Sequence, residues 1–178
     1  MAITNLNDKV GSHLMAVYLD TGHKENGSTP VYDRVGSNCE SLSINLNTET
    51  TEYSDVTMDT AQSDISSYKT TVEGTGKYQD GDPVYDYFLG LWEDNKTGNS
   101  SRADMYIAKR FQEDSTTHEC NALLFEDTTV SLSSFELTGA DLMEVSFTLA
   151  ANTSPKKGTV ICNESDNYKT CKNWTANQ

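Results

Sequence analysis

The stretch that decides the fold is SYKTTVEGTGKYQDGDPVYDYFLGLWED, residues 67–94, which predicts a strand, a glycine-rich turn and a helix. From Ser67 to Glu73, aromatic and β-branched residues fall at every second position, a period that is typical of a half-buried strand. Beyond the glycines the period changes, and apolar residues recur at the spacing of a helix face. The sequence therefore predicts a strand followed closely by a helix.

The predicted helix covers about residues 83–92. Asp82 is placed to cap its first turn, and Pro83 suits the first helical position, because the N–H that proline lacks would have no partner there. One apolar face consists of Val84, Tyr87, Phe88 and Leu91. A second apolar stripe consists of Tyr85, Leu89 and Trp92. A helix that is apolar nearly all round is covered on both sides, so we predict that the second stripe contacts another subunit.

Composition sets limits on size and partners. The 178 residues predict one domain, with residues 1–12 as an N-terminal arm, 13–160 as a β-rich core and 161–178 as a polar C-terminal tail. Thirteen basic and twenty-seven acidic residues give a net charge of −14. An acidic surface repels phosphate, so tight binding of DNA or RNA is not expected, although DNA could pass such a surface without sticking.

No segment of the sequence predicts a secretory signal or a membrane span. The first ten residues, MAITNLNDKV, lack a basic segment followed by an apolar run, and no apolar window reaches the length of a transmembrane helix. We expect synthesis in a cytoplasm and no membrane partner.

Alternating patterns predict most of the remaining chain to be strands. The predicted strands cover residues 13–20, 31–35, 41–47, 67–73, 102–111, 120–125, 130–137 and 144–150. With a single convincing helix, they predict a mainly β fold: an antiparallel β-sandwich or open barrel of about seven strands with one flanking helix.

Residues 48–65, TETTEYSDVTMDTAQSDI, show no sustained period and predict a long loop. Loops of this length within a compact domain are usually functional or disordered. Four isolated apolar residues punctuate this one: Tyr53, Val56, Met58 and Ile65. We predict that they order against a neighbouring subunit; a flap over the loop's own sheet is the alternative.

The sequence contains no pattern of catalytic or metal-binding residues. The histidines, His13, His23 and His118, have neither a nucleophile signature nor metal spacing around them. The four cysteines are Cys39, Cys120, Cys162 and Cys171, and none forms a C-x-x-C pair. We therefore predict no enzymatic activity, no metal and no cofactor. Bridges between Cys162 and Cys171 or between Cys39 and Cys120 stay open.

The order of several short motifs resembles a known family. The motifs are D-V-T (55–57), S-Y-K-T-T-V-E-G-T-G-K-Y (67–78), G-D-P-V-Y-D-Y-F-L-G-L (81–91), M-Y-I-A-K-R-F (105–111), D-L-M-E-V-S-F-T-L (141–149) and K-G-T-V (157–160). Over residues 13–160 the chain resembles the major tail tube protein of long-tailed, siphovirus-type bacteriophages. The cysteine-bearing segment beyond residue 160 departs from the family pattern.

The resemblance implies a structural virion protein. Its copies would form homohexameric rings that stack into a hollow tube, with the long loop in contact with the adjacent ring. Genome DNA would pass through this tube in transit, without tight binding. The implied partners are the tape measure, tail terminator and distal tail proteins. Assembly would take place in the cytoplasm of a bacterial host, and the mature location would be the virion tail.

Within such a tube, acidic residues on polar strand faces would be repeated around the inner wall. The candidates are Asp104, Glu136 and Glu144, because each is out of phase with the apolar residues of its own strand. Two other interpretations stay open. One is a virion component of related fold, such as a tail terminator or a capsid decoration protein. The other is a secreted Ig-like sandwich that binds carbohydrate or mediates adhesion.

Overall fold

The computed structural model describes residues 14–22, 30–37, 39–54, 62–137, 143–162 and 169–177. These residues form eleven strands and one α-helix. The strands are β1 (Met15–Asp20), β2 (Tyr32–Val35), β3 (Cys39–Asn45), β4 (Thr48–Tyr53), β5 (Gln62–Tyr68), β6 (Thr71–Lys77), β7 (Arg102–Lys109), β8 (Glu119–Glu136), β9 (Glu144–Ala150), β10 (Lys156–Cys162) and β11 (Thr170–Ala176). The helix, α1, is Pro83–Glu93. The predicted mainly β fold with one flanking helix is confirmed.

Six antiparallel strands close into a barrel. Their order is β10-β11-β2-β1-β7-β8, and pairing of β8 with β10 completes the circle. This closing seam extends from the Lys156–Leu124 pair to the Ile161–Glu119 pair. Closure leaves the paired segments without free edges, which protects them from pairing with other chains.

Strand β8 belongs to two parts of the sheet. Its first half pairs with β7 and β10 in the barrel, and its second half pairs with β9. The sheet then continues through β6 to β3, so β8, β9, β6 and β3 form an extension of the barrel. The sequence predicted two strands here, separated at residues 126–129. The structure instead has one strand with a register shift at this point, where Asp127 adopts a positive φ of 54°.

Two apolar clusters fill the molecule. Alternate residues of β1 and β7 point to opposite sides, and both sides are buried. One cluster fills the barrel interior and includes Tyr18, Tyr106 and Val160. The other lies beneath α1, where the rings of Phe88 and Phe147 are 4.8 Å apart. Helix α1 therefore covers the outside of the barrel and the inner face of the extension together.

Helix α1 begins as the sequence predicts. The Asp82 side chain accepts a hydrogen bond from the backbone N–H of Val84 at 3.0 Å, and Pro83 occupies the first turn. The buried residues of the helix include the whole predicted apolar face, Val84, Tyr87, Phe88 and Leu91. The period of 3.6 residues thus identified the packed face correctly.

The predicted loop at 48–65 is wrong at both of its ends. Thr48–Tyr53 and Gln62–Tyr68 pair as an antiparallel two-stranded ribbon, β4–β5. Nearly all of its residues are exposed, so neither face needs an apolar stripe and the sequence shows no alternation. Residues 55–61, with Val56 and Met58, lie outside the described residues. The single strand predicted for 67–73 also divides, because β5 ends at Tyr68 and β6 begins at Thr71.

The predicted polar tail at 161–178 is likewise wrong in its described part. Thr170–Ala176 forms β11, which pairs with β10 and β2 inside the closed barrel. Its inner residues include Cys171, and the Trp174 ring stacks on Tyr106 with centroids 5.2 Å apart. The outward residues are polar, so the short strand has too few apolar positions to produce a recognisable period. The predicted N-terminal arm, 1–12, lies outside the described residues.

Strand β11 packs closely against Gly158 of β10. A β-carbon at this position would collide with the Thr175 carbonyl oxygen and come within 2.6 Å of the Trp174 ring. Because a backbone atom cannot move aside easily, Gly158→Ala is expected to lower the free energy of unfolding by about 1–3 kcal/mol in urea titrations. Gly90→Ala is the control: its β-carbon would meet no atom within 4 Å, and alanine should stabilise α1 by up to about 1 kcal/mol. Equal stability of the two variants would contradict this account.

Candidate assembly surfaces

The extension of the sheet has one apolar and one hydroxyl-rich face. Strand β9 shows the division: Val145, Phe147 and Leu149 are buried beneath α1, and the residues between them point the other way. The opposite face of the four strands carries Ser41, Ser43, Thr71, Glu73, Thr75, Ser131, Ser146 and Thr148. We call this surface the hydroxyl face. Its small side chains leave a shallow hollow, within which the hydroxyl oxygens of Thr75 and Ser146 are 3.2 Å apart.

Charged residues form a row at one end of the hydroxyl face. Glu144 is paired in register with Glu136 on one side and with Lys77 on the other. The Lys77 ammonium lies 2.9 Å from the Glu40 carboxylate, so the row contains three carboxylates and one cation. Two of the three predicted inner-wall residues, Glu136 and Glu144, are therefore neighbours on one surface. Directly opposed like charges repel each other, unless counterions or further partners screen them.

The third predicted inner-wall residue lies elsewhere. Asp104 is only 6% exposed, and its carboxylate accepts a hydrogen bond from the backbone N–H of Asp127 at 3.1 Å. It stabilises the turn in β8 and is not part of the hydroxyl face. Strand β7 is buried on both faces, so Asp104 is buried even though it alternates with the apolar residues of the strand. The alternating pattern of the sequence could not show that the second face is covered.

The β4–β5 ribbon is the second candidate surface. In the described part of the chain its strands pair only with each other. Three of its large side chains are exposed: Tyr53, Ile65 and Tyr68. Hydrogen bonds from Lys69 and Ser67 hold the pKa of Glu49 below its ordinary value. The ribbon therefore carries exposed apolar side chains beside charged ones.

The end of α1 is the third candidate surface. The predicted contact stripe is divided: Tyr85 is 2% exposed within the core, Leu89 is half-buried, and Trp92 is 64% exposed. Because Tyr85 is covered by its own subunit, its predicted contact with a neighbouring subunit is not supported. Trp92 packs on Phe135 with ring centroids 5.5 Å apart, and Leu137, just beyond β8, is 79% exposed. The sequence analysis missed Phe135 and Leu137, because they reach Trp92 only in the folded chain: the end of α1 and the end of β8 are far apart in sequence.

No arrangement typical of metal chemistry appears among the described residues: no group of three or more His, Cys, Asp or Glu side chains is placed to hold a metal. None of the helices in the described ranges has the length and apolarity to cross a membrane. The pair formed by His118 and the buried Glu113, 3.1 Å apart, lies next to the turn that Asp114 caps. The Asp114 carboxylate accepts hydrogen bonds from the backbone N–H groups of Thr117 and Thr116, so Asp114 caps this turn, and the same bonds lower its pKa.

Comparison with known proteins identifies the fold. No protein-family profile and no curated protein matches the chain. A chain from the tail of an empty GTA particle, refined with helical and C6 symmetry, is similar with a TM-score of 0.57 at 10% identity, covering 83% of this chain and 97% of that one. A chain from the PVC sheath/tube terminator of an extracellular contractile injection system is similar with a TM-score of 0.52 at 13% identity, covering 84% and 96%. The chain therefore has the fold of the tail and tube proteins of phage-like particles.

Proposed function

We propose that this protein is a structural subunit of a phage-like tail tube, whose copies form six-membered rings that stack into a conduit for DNA. The observation that carries the proposal is the extension of the sheet, with one face packed under α1 and the other covered by hydroxyl groups. Such a sheet suits a wall between a protein shell and an aqueous channel. The fold that this chain shares with chains from a particle tail and a sheath/tube terminator also supports a role in a tail tube.

Ring formation would use the edges of the extension. In the described residues β3 pairs only with β6, and Val130–Glu136 of β8 pairs only with β9. These two segments lie at opposite edges of the extension, each with backbone groups available to a neighbour. Pairing of one edge with the opposite edge of the next copy would close a ring and remove both edges. The exposed Trp92 and half-buried Leu89 would add side-chain contacts beside this seam.

Stacking would use the β4–β5 ribbon. It is a separate two-stranded sheet with nearly all of its residues exposed, and it would offer Tyr53 and Ile65 to an adjacent ring. Val56 and Met58, which the sequence assigned to the same contact, remain part of the proposal. We further propose that the subunit has no catalytic role and is assembled in the cytoplasm of a bacterial host. Its tape measure, tail terminator and distal tail proteins would bind at the interior or ends of the tube.

The hydroxyl face would line the channel. Duplex DNA carries one phosphate charge per about 1.7 Å of its axis, so even sparse cationic contacts would add up along a tube. Serine and threonine hydroxyls provide no such attraction. Glu136 and Glu144 would repeat around each ring as a band of negative charge. In a structure of the assembled tube we expect a net negative inner wall at this band; a basic wall would contradict the prediction and leave the fold unaffected.

A tail terminator is the second candidate, because one similar chain comes from a sheath/tube terminator. Electron microscopy of the purified protein separates the possibilities. Extended tubes of stacked six-fold rings support the tube subunit, and single rings that do not stack support the terminator. Trimers or spikes would instead indicate a decoration protein, and monomers at all concentrations a secreted binding domain.

Hydrogen exchange provides a test of the ribbon's role. A two-stranded ribbon that pairs only with itself is marginally stable, so backbone amides of β4 and β5 should exchange rapidly in the free subunit. Burial between rings should slow their exchange in the tube. Strand β1, buried on both faces, is the internal control and should be protected equally in both states. Equal protection of the ribbon before and after assembly would argue against an inter-ring contact.

A further inference from the structure

The barrel interior contains three cysteines that the tube function does not use. Cys120, Cys162 and Cys171 are each buried, on β8, β10 and β11 respectively. The sulfur atoms of Cys120 and Cys162 are 3.0 Å apart. Cys39 packs in the other apolar cluster, with its sulfur 3.6 Å from the Tyr85 hydroxyl. Its separation from the barrel interior argues against the Cys39–Cys120 bridge that the sequence left open.

We propose that Cys120 and Cys162 form a redox-active dithiol, which peroxides convert into an intramolecular disulfide across the seam that closes the barrel. The proposal concerns β8 and β10 within a single chain, so it holds whether or not the protein forms a tube. Neither the fold nor the assembly described above requires this bond.

Strand pairing explains why these two thiols meet. Cys120 is paired in register with Val160, and Cys162 lies two residues further along β10, so both point into the barrel. The Cys120 sulfur also lies 3.6 Å from the Val160 carbonyl oxygen, which keeps it at the seam. Closing the sulfur–sulfur distance to the bonded value of about 2.0 Å requires a change in the side-chain torsions of Cys120 and Cys162.

The surroundings make the two thiols unequal. A hydrogen bond from Cys120 is the main influence that lowers the pKa of Cys162, and the Tyr18 hydroxyl and the Arg110 charge act in the same direction against burial. The same hydrogen bond, together with burial, raises the pKa of Cys120. Cys162 is therefore the more readily ionised of the two thiols, so in the proposed reaction it acts as the nucleophile and Cys120 as the resolving thiol.

Hydrogen peroxide, which is small and uncharged, serves as the oxidant in the balanced reaction. The Cys162 thiolate attacks one peroxide oxygen, the O–O bond breaks, and hydroxide leaves as Cys162 becomes a sulfenic acid. The Cys120 sulfur then attacks the Cys162 sulfur, the S–O bond breaks, and the oxygen leaves as water with the Cys120 proton. The hydroxide takes up the proton that Cys162 lost on ionisation, so in total two thiols and one peroxide give one disulfide and two waters. The sulfurs are oxidised and the peroxide is reduced.

Peptide mapping tests the bond directly, because trypsin separates all four cysteines. Cleavage after lysine and arginine places them on residues 35–69, 111–156, 158–169 and 170–172. The intact chain is treated with hydrogen peroxide, alkylated and digested. We expect a cross-link between the second and third peptides and a loss of about 2 Da from the intact mass. A cross-link between the third and fourth peptides, cysteine sulfinic acid without a cross-link, or four alkylated cysteines would each overturn the proposal.

Variants separate the pair from its neighbours. Cys120→Ser and Cys162→Ser should each abolish the cross-link, and Cys171→Ser and the control Cys39→Ser should retain it. Oxidation of the unmodified chain should raise its melting temperature by about 5–10 °C, reversibly with dithiothreitol. The same treatment should leave the melting temperature of Cys120→Ser unchanged. An equal rise in the melting temperature of that variant would show that another bond or modification is responsible. If a variant fails to fold, the peptide map of the unmodified chain still tests the proposal.

Discussion

Replacing Phe88 with alanine is expected to lower the free energy of unfolding by about 3–5 kcal/mol, the range for truncating a fully buried aromatic side chain. Phe88 has no exposed surface, and its ring lies 4.8 Å from Phe147 and 6.2 Å edge-on from Tyr85. It therefore joins α1 to the extension of the sheet. Alanine would leave a cavity in the core that these elements share.

Urea titration measures this effect, and the same helix supplies a matched control. Trp92 lies one turn beyond Phe88 and is mostly exposed, so Trp92→Ala should cost less than about 1 kcal/mol. The Phe88→Ala transition should shift to a lower midpoint with an unchanged slope, which indicates loss of stability without a change in the unfolding reaction. If the two variants lost equal stability, the packing role assigned to Phe88 would be wrong.

The second large effect concerns assembly. The double substitution of Tyr53 and Ile65 by aspartate is expected to abolish stacking of rings. Burial of one large apolar side chain contributes about 1.5–3 kcal/mol, and in the proposed ring every copy would lose the same contacts. Both side chains are exposed in the single subunit, so its melting temperature should remain within a few degrees of the unmodified chain. Sedimentation and electron microscopy at matched concentrations would measure assembly.

A conservative pair provides the control for this experiment. Tyr53→Phe with Ile65→Val keeps the ribbon apolar and should form tubes as the unmodified chain does. Normal tubes from the aspartate variant would show that the ribbon is not the contact between rings. Failure of both pairs would point to the shape of the ribbon, since the conservative pair leaves its apolar character intact.

The sequence predicted the type of those elements whose apolar residues follow a clear period. Strand β9 alternates apolar and polar residues, and α1 repeats Val84, Tyr87, Phe88 and Leu91 at the helix spacing, so both elements and the packing of these residues were correct. Tyr85, which the sequence assigned to the outer stripe, is also buried. The ribbon β4–β5 has two solvated faces, and β7 has two buried ones. In each of these strands the residues on the two faces have similar surroundings, so apolar and polar residues do not alternate regularly along the sequence. This explains both the missed ribbon and the wrong position assigned to Asp104.

Long-range contacts were beyond sequence reasoning for a different reason. The Cys120–Cys162 approach depends on pairing of β8 with β10, two strands that are separated by β9 in the chain. The Trp92–Phe135 contact likewise depends on how α1 crosses the sheet. Local periodicity contains no information about which strands pair. By contrast, Glu136 and Glu144 were predicted as separate candidates, and their direct opposition follows once β8 and β9 are known to be adjacent.

The continuity of β8 has a mechanical consequence. One uninterrupted backbone of eighteen residues supplies hydrogen bonds first to the barrel and then to the extension. Slippage of this strand by one residue would turn inner side chains outward in both parts at once. The two parts should therefore unfold together in a single cooperative transition, and a load applied to the extension should reach the barrel through covalent bonds. In a long tube under tension, each subunit would respond as one rigid link.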